Sequence, residues 1–167
     1  MSGYLSSAFK LADNIDASST SGWNSGSGFV PVGDSTTKFT GNFNGDNKTI
    51  SGLFFNRSAT SYVGLLGYTN GATIQDVGLV NLNVVGSGGV GGLVGINVNS
   101  NISGVYALGT VNGSSIAGGL VGLNTDSIIS AAYFSGNVYS DYGGGGLVGQ
   151  SSDNSTITNT YSSGAVS

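Results

Sequence analysis

The chain has no histidine or cysteine, and all eight of its acidic residues are aspartates. Zinc and copper sites, which draw on imidazole and thiolate, are therefore disfavoured, and carboxylate chemistry is what remains. Two positioned carboxylates can hydrolyse a glycosidic bond, and polysaccharide lyases need strong bases or calcium. The conceivable pairs are Asp13/Asp16 and Asp34/Asp46. Asp13 and Asp16 better suit turn or cap hydrogen bonds. A calcium ion held by Asp13, Asp16 or Asp46 with backbone carbonyls would lack the multi-aspartate loop of known sites. No catalytic, cofactor-binding or metal-ligating residue is assigned, no cofactor is expected, and the segment is expected not to be an enzyme.

Other residue types suggest binding. Gly86-Ser87-Gly88-Gly89-Val90-Gly91-Gly92 is glycine-rich, but a phosphate cradle needs a following helix, and a strand-like Leu-Val follows instead. Tyr106, Tyr133 and Tyr161 could form a sugar-binding platform or, in the favoured reading, a core ladder; Phe134, Tyr139 and Tyr142 are better platform candidates. An ice-binding face would need a column of threonines, and the equivalent positions are Thr110, Asn137 and Ala165. Asn-x-Ser/Thr sequons at Asn47, Asn56, Asn101, Asn112 and Asn154 are read as unmodified turn asparagines.

Charge narrows the partners. Only 7% of the 167 residues are charged, against about 25% in a typical soluble domain. The four basic residues are Lys10, Lys38, Lys48 and Arg57, so the last 110 positions carry no positive charge. That disfavours nucleic acid and anionic lipid, both of which need Lys and Arg. No apolar run approaches the roughly 20 residues of a membrane helix, so no membrane insertion is expected. Met1-Ser2-Gly3-Tyr4 lacks the basic and apolar regions of an export signal, and Met1 is read as the start of an expressed fragment.

The elements that must carry these residues emerge from a repeat. Gly-Leu-(Leu/Val)-Gly occurs at 64–67, 92–95, 119–122 and 146–149, at spacings of 28, 27 and 27 residues. Ile74, Ile102, Ile129 and Ile157 follow in register, then Tyr106, Tyr133 and Tyr161, Gly109, Gly136 and Gly164, and Val111, Val138 and Val166. Short apolar runs separated by Gly, Asn, Ser and Asp read as strands and turns. The fold class predicted is all-β: a parallel β-helix, or β-solenoid, with about 27 residues per coil, right-handed as parallel crossovers prefer. Residues 1–36 are expected to form an N-terminal cap region, and 37–167 one continuous solenoid of about five coils.

Strict alternation places the isoleucines and tyrosines on one inward face. The variable positions Val105, Ala132 and Thr160, and Ala107, Phe134 and Ser162, then face outward. Whether Leu or the next Leu/Val of the tetrapeptide points inward stays open. Glycine runs at 88–89 and 143–146 are placed at coil corners, and Asn44-Gly45, Asn70-Gly71 and Asn112-Gly113 at turns with positive φ.

The Gly-Leu-(any)-Gly units resemble the GLUG motif of large secreted bacterial haemagglutinin-like proteins. The run 11–16, Trp23, 29–33 and the run 39–53 are similar to the segment preceding those repeats. The resemblance implies bacterial export, a β-helical stalk and no shared catalytic residues; related repeats also flank the catalytic parts of some immunoglobulin-cleaving proteases. The function expected is therefore a structural or adhesive segment of a secreted surface protein, meeting an unknown glycan or protein ligand. The alternative is a carbohydrate-binding or carbohydrate-degrading β-helix. The chain stops mid-unit at Val166-Ser167, which predicts end-to-end self-association through an open C-terminal edge.

Overall fold

Apolar runs of three to six residues cannot bury a face alone, but at a fixed spacing of 27 or 28 residues they can pair with their own repeats. The computed structural model describes residues 3–167, and the chain winds there into a parallel β-solenoid of about four turns. The N-terminal stretch carries β1 (Ala8–Lys10), β2 (Ile15–Asp16) and two 3-10 turns within Ser18–Gly26. Next come β3 (Asn42–Ser51) and β4 (Phe54–Asn56). The first regular turn is β5 (Leu66–Asn70), β6 (Thr73–Gly86) and β7 (Val90–Gly91). The second is β8 (Val94–Val98), β9 (Asn101–Ser103), β10 (Tyr106–Gly113) and β11 (Ile116–Gly118). The third is β12 (Val121–Thr125), β13 (Ile128–Ser140) and β14 (Gly143–Gly145), and β15 (Val148–Ser152) and β16 (Thr156–Ser163) begin the last.

Three sheets result. The longest runs β1-β3-β6-β10-β13-β16, with β2, β4 and β9 attached; the others are β5-β8-β12-β15 and β7-β11-β14. Every ladder between these strands is parallel. Residues 37–62 join the longest sheet through β3 and β4 but reach β5 only by an isolated bridge, Phe39 to Thr69. That irregularity is why about four regular turns form where five were expected. The stretch before it lies at one end of the stack, with β1 and β2 against β3.

The in-register isoleucines form a ladder from Phe43 through Ile74, Ile102 and Ile129 to Ile157. Ile74, Ile102 and Ile129 are fully buried, whereas Ile157, on the last strand of the sheet, is 39% exposed.

The tyrosines do not share that inward face. The residues flanking Tyr106, Val105 and Ala107, are buried, as are Ala132 and Phe134 flanking Tyr133, which places Tyr106 and Tyr133 outside. The cause is one left-handed residue per turn, at equivalent positions Asp76, Gly104, Ala131 and Asn159, with φ of 55°, 63°, 47° and 52°. Such a residue breaks the alternation, so the four-residue step from isoleucine to tyrosine changes faces.

The tetrapeptide question has a different answer: Leu93 and Val94 are both buried, as are Leu120 and Val121. The Leu120 carbonyl accepts hydrogen bonds from both Leu93 N–H (2.9 Å) and Val94 N–H (3.1 Å). Two consecutive N–H groups on one carbonyl mark a bend, so neighbouring side chains both enter the core there. Glycine is obligatory at this bend: a Cβ on Gly122 would lie 2.6 Å from backbone atoms of Gly89, Val90 and Gly95.

Two turn assignments need correction. Of the Asn-Gly pairs, only Asn70-Gly71 makes a positive-φ turn, at Gly71 (φ 70°); Asn44-Gly45 lies within β3 and Asn112-Gly113 within β10. The first three glycines of the run 143–146 form strand β14 rather than a corner, paired in register with Ile116, Ala117 and Gly118 of β11.

Candidate functional site

Inside the solenoid, two polar columns hold successive turns together. Thr69 Oγ1 donates to Asn97 Oδ1 (2.8 Å), Asn97 Nδ2 to Asn124 Oδ1 (2.9 Å), and Asn124 Nδ2 to Ser151 Oγ (3.5 Å). At the next corner Ser100 Oγ accepts from Ala72 N–H (3.0 Å) and Ser127 Oγ from Ser100 N–H (3.0 Å). Each serine donates back within its own turn, Ser100 to Val98 O (2.6 Å) and Ser127 to Thr125 O (2.7 Å). No buried side-chain polar atom among the described residues lacks a partner. The 27-residue spacing of Asn97, Asn124 and Ser151 carried the signal for the first column, and apolar patterning alone overlooked it.

Three of the candidate carboxylates, Asp16, Asp34 and Asp46, make local contacts. Asp34 Oδ1 accepts Thr36 N–H (2.8 Å) and Thr37 N–H (2.7 Å), which holds its pKa below the ordinary carboxylate value, Thr37 contributing most. Asp16 accepts Ser18 N–H (2.9 Å), and hydrogen bonding from Ser18 lowers its pKa likewise. Asp46 forms a solvent-exposed ion pair with Lys10, at 3.0 Å. Among the described residues no three potential metal-ligating side chains come together.

On the outer surface the three tyrosines form a column. Rings 106 and 133 lie 5.0 Å apart and 4° from parallel; rings 133 and 161 lie 4.9 Å apart and 3° from parallel. This is the inter-strand spacing of about 4.8 Å expressed in side chains. Burial, then the Tyr161 and Tyr106 phenols, push the Tyr133 hydroxyl pKa above its ordinary value. A sugar stacks on an open ring face, but both faces of Tyr133 are covered by its neighbours. Phe134 is fully buried and leaves the list of platform candidates, while Tyr139 and Tyr142 are 42% and 88% exposed. The five sequon asparagines are all exposed. Thr110 pairs in register with Asn137.

A second surface feature lies at the N-terminal end. Trp23 and Phe29, 6.2 Å apart, overhang a cavity of about 210 Å³ whose floor is Phe43, Ile50 and Leu53. The sequence placed Trp23 in an end segment but gave no indication of the cavity, which arises only where that segment meets β3.

The architecture defines a parallel β-solenoid of 27–28-residue turns with an irregular N-terminal segment. Halomucin from Haloquadratum walsbyi is 46% identical over 93 residues, 53% of this chain and 1% of that protein. A putative Gly-rich membrane protein of Evansella cellulosilytica is 40% identical over 62 residues, 36% of this chain and 7% of that protein. The matches thus cover small shares of both relatives. No protein-family model and no solved structure matches the chain.

Proposed function

We propose that the chain is a non-catalytic structural segment, a stalk or adhesive rod, of a secreted or surface-displayed protein of the GLUG-repeat, haemagglutinin-like kind. The observation that carries this reading is the parallel register kept from turn to turn: Val84, Val111 and Val138 stack inside, while exposed neighbours such as Asn112 and Tyr139 differ in type. A parallel stack of this kind transmits length and rigidity through backbone hydrogen bonds and leaves its outer residues free to vary. The likeness to a protein named as a Gly-rich membrane protein supports a place at the cell surface. No helix among the described residues is long and apolar enough to cross a membrane.

Single-molecule stretching tests the mechanical role: the segment should unfold at high force, in steps that are multiples of one 27–28-residue turn. Unfolding at negligible force would sink the reading, as would turnover of a polysaccharide lost on Asp34→Asn or Asp46→Asn. Glycan binding stays as a second reading because Tyr142, 88% exposed beside Tyr139, offers an uncovered ring. A glycan array showing retention that Tyr142→Ala abolishes would favour it.

A further inference from the structure

The N-terminal cavity is unlike the rest of the surface. Its floor residues Phe43, Ile50 and Leu53 are 3%, 5% and 2% exposed, yet the rim residues Ile15 and Trp23 are 42% and 48% exposed. The lining is carbon apart from the edges of Asp16, Ser19 and Thr20. Two of those spend their polar atoms locally. Asp16 Oδ1 accepts Ser18 N–H, while Thr20 Oγ1 donates to Ala17 O (2.6 Å) and accepts Phe54 N–H (3.0 Å). A hydroxyl-rich ligand such as a sugar would thus lose its water here and find few replacement partners.

The rim is also held in an unusual backbone. Asn24 and Ser25 adopt left-handed conformations (φ 51° and 56°), and Gly26 and Gly28 follow at 84° and 80°. Left-handed non-glycine residues are costly and persist where surrounding contacts impose them, often at ligand clamps. Here Asn24 Nδ2 donates to Gly28 O (2.8 Å), while Arg57 donates from Nε to Phe29 O (2.6 Å) and from a terminal nitrogen to Gly28 O (3.2 Å). Phe29 in turn sets its ring edge-on to Phe55, 5.8 Å away. The loop that overhangs the cavity is thereby fixed in place, and the cavity exists before any ligand arrives.

We propose that this cavity binds a small, uncharged, ring-sized apolar molecule, of the class of substituted benzenes. An apolar cavity of about 150 Å³ suffices for benzene, so the volume of about 210 Å³ here admits a ring with a short substituent. Filling it restores the dispersion contacts that the floor residues lack on their open side. The site is independent of the stalk reading, and either can fail without the other.

The test uses toluene as probe and methyl glucoside as a polar comparison of similar size. Trp23 is the sole tryptophan, so its fluorescence reports the rim without background. The expected result is a saturable blue shift of its emission with toluene, and saturable shifts of the Ile15 and Ile50 methyl resonances. Methyl glucoside should produce neither. Ala17→Leu, which fills the cavity, should weaken toluene binding at least tenfold, and Trp23→Ala, at a half-exposed position, several-fold. Circular dichroism checks that each variant is folded, and either one alone suffices. Unsaturable shifts, shifts centred on Ile157 at the opposite end, or unchanged affinity in a folded variant would overturn the proposal.

Discussion

Asn97 donates a 2.9 Å hydrogen bond to Asn124, one turn away, and both side chains are closed to solvent. The bond crosses between turns rather than along the chain, so it specifies which turn lies above which. Asn97→Ala would leave Asn124 Oδ1 without its donor in the core, and Thr69 Oγ1 with only the Ile96 carbonyl at 3.3 Å. Leaving buried polar groups unsatisfied costs about 1–3 kcal/mol. Urea denaturation of Asn97→Ala should therefore give a loss of about 2 kcal/mol, while the exposed Asn112→Ala stays within about 0.5 kcal/mol of the parent. Equal midpoints for the two variants would show that the column contributes nothing.

The glycine at the tetrapeptide bend gives a sharper contrast. A Cβ at Gly122 would meet three backbone atoms at 2.6 Å, whereas at Gly143 the nearest atom is Ile116 Cγ1 at 3.5 Å. Backbone cannot rotate aside, so Gly122→Ala should lose about 3 kcal/mol or more through overpacking. Gly143→Ala should be neutral, or stabilising by up to about 1 kcal/mol through the unfolded chain. Thermal melts of the two variants decide it, and similar shifts would contradict the close packing.

The period, the strand content and the parallel stacking were legible in the sequence because each follows from in-register repetition. Which face a residue takes was legible only in part. Ile74, Ile102 and Ile129 point inward as expected, but counting by twos from Ile102 to Tyr106 misses the left-handed Gly104 between them. Its counterparts are Asp76, Ala131 and Asn159, so no single residue type announced the break. The N-terminal cavity was invisible for another reason: its walls come from the stretch between Leu11 and Phe29 and from Phe43, Ile50, Leu53 and Leu65, with no repeat to align them.

Ala131 offers a direct test of that break in alternation. It is exposed and holds φ at 47°, where its Cβ crowds the following carbonyl at a cost of about 1–2 kcal/mol. Glycine escapes the clash but loses more freedom on folding, so Ala131→Gly should stabilise the solenoid by about 0.5–1 kcal/mol. A variant at Ala132, whose side chain is buried, should not. Destabilisation by Ala131→Gly would place Ala131 in ordinary strand geometry and undo the account of the tyrosine face.

The tyrosine column predicts an alkaline weakness. Tyr133 keeps its proton to higher pH in the folded chain than in the unfolded one. Above the ordinary tyrosine value of about 10, the unfolded chain has therefore released a proton that the fold retains, and stability falls as pH rises. Tyr133→Phe should keep the ring stack and the stability at neutral pH while reducing the loss between pH 9 and pH 11. An identical alkaline slope in the variant would assign the effect to other groups.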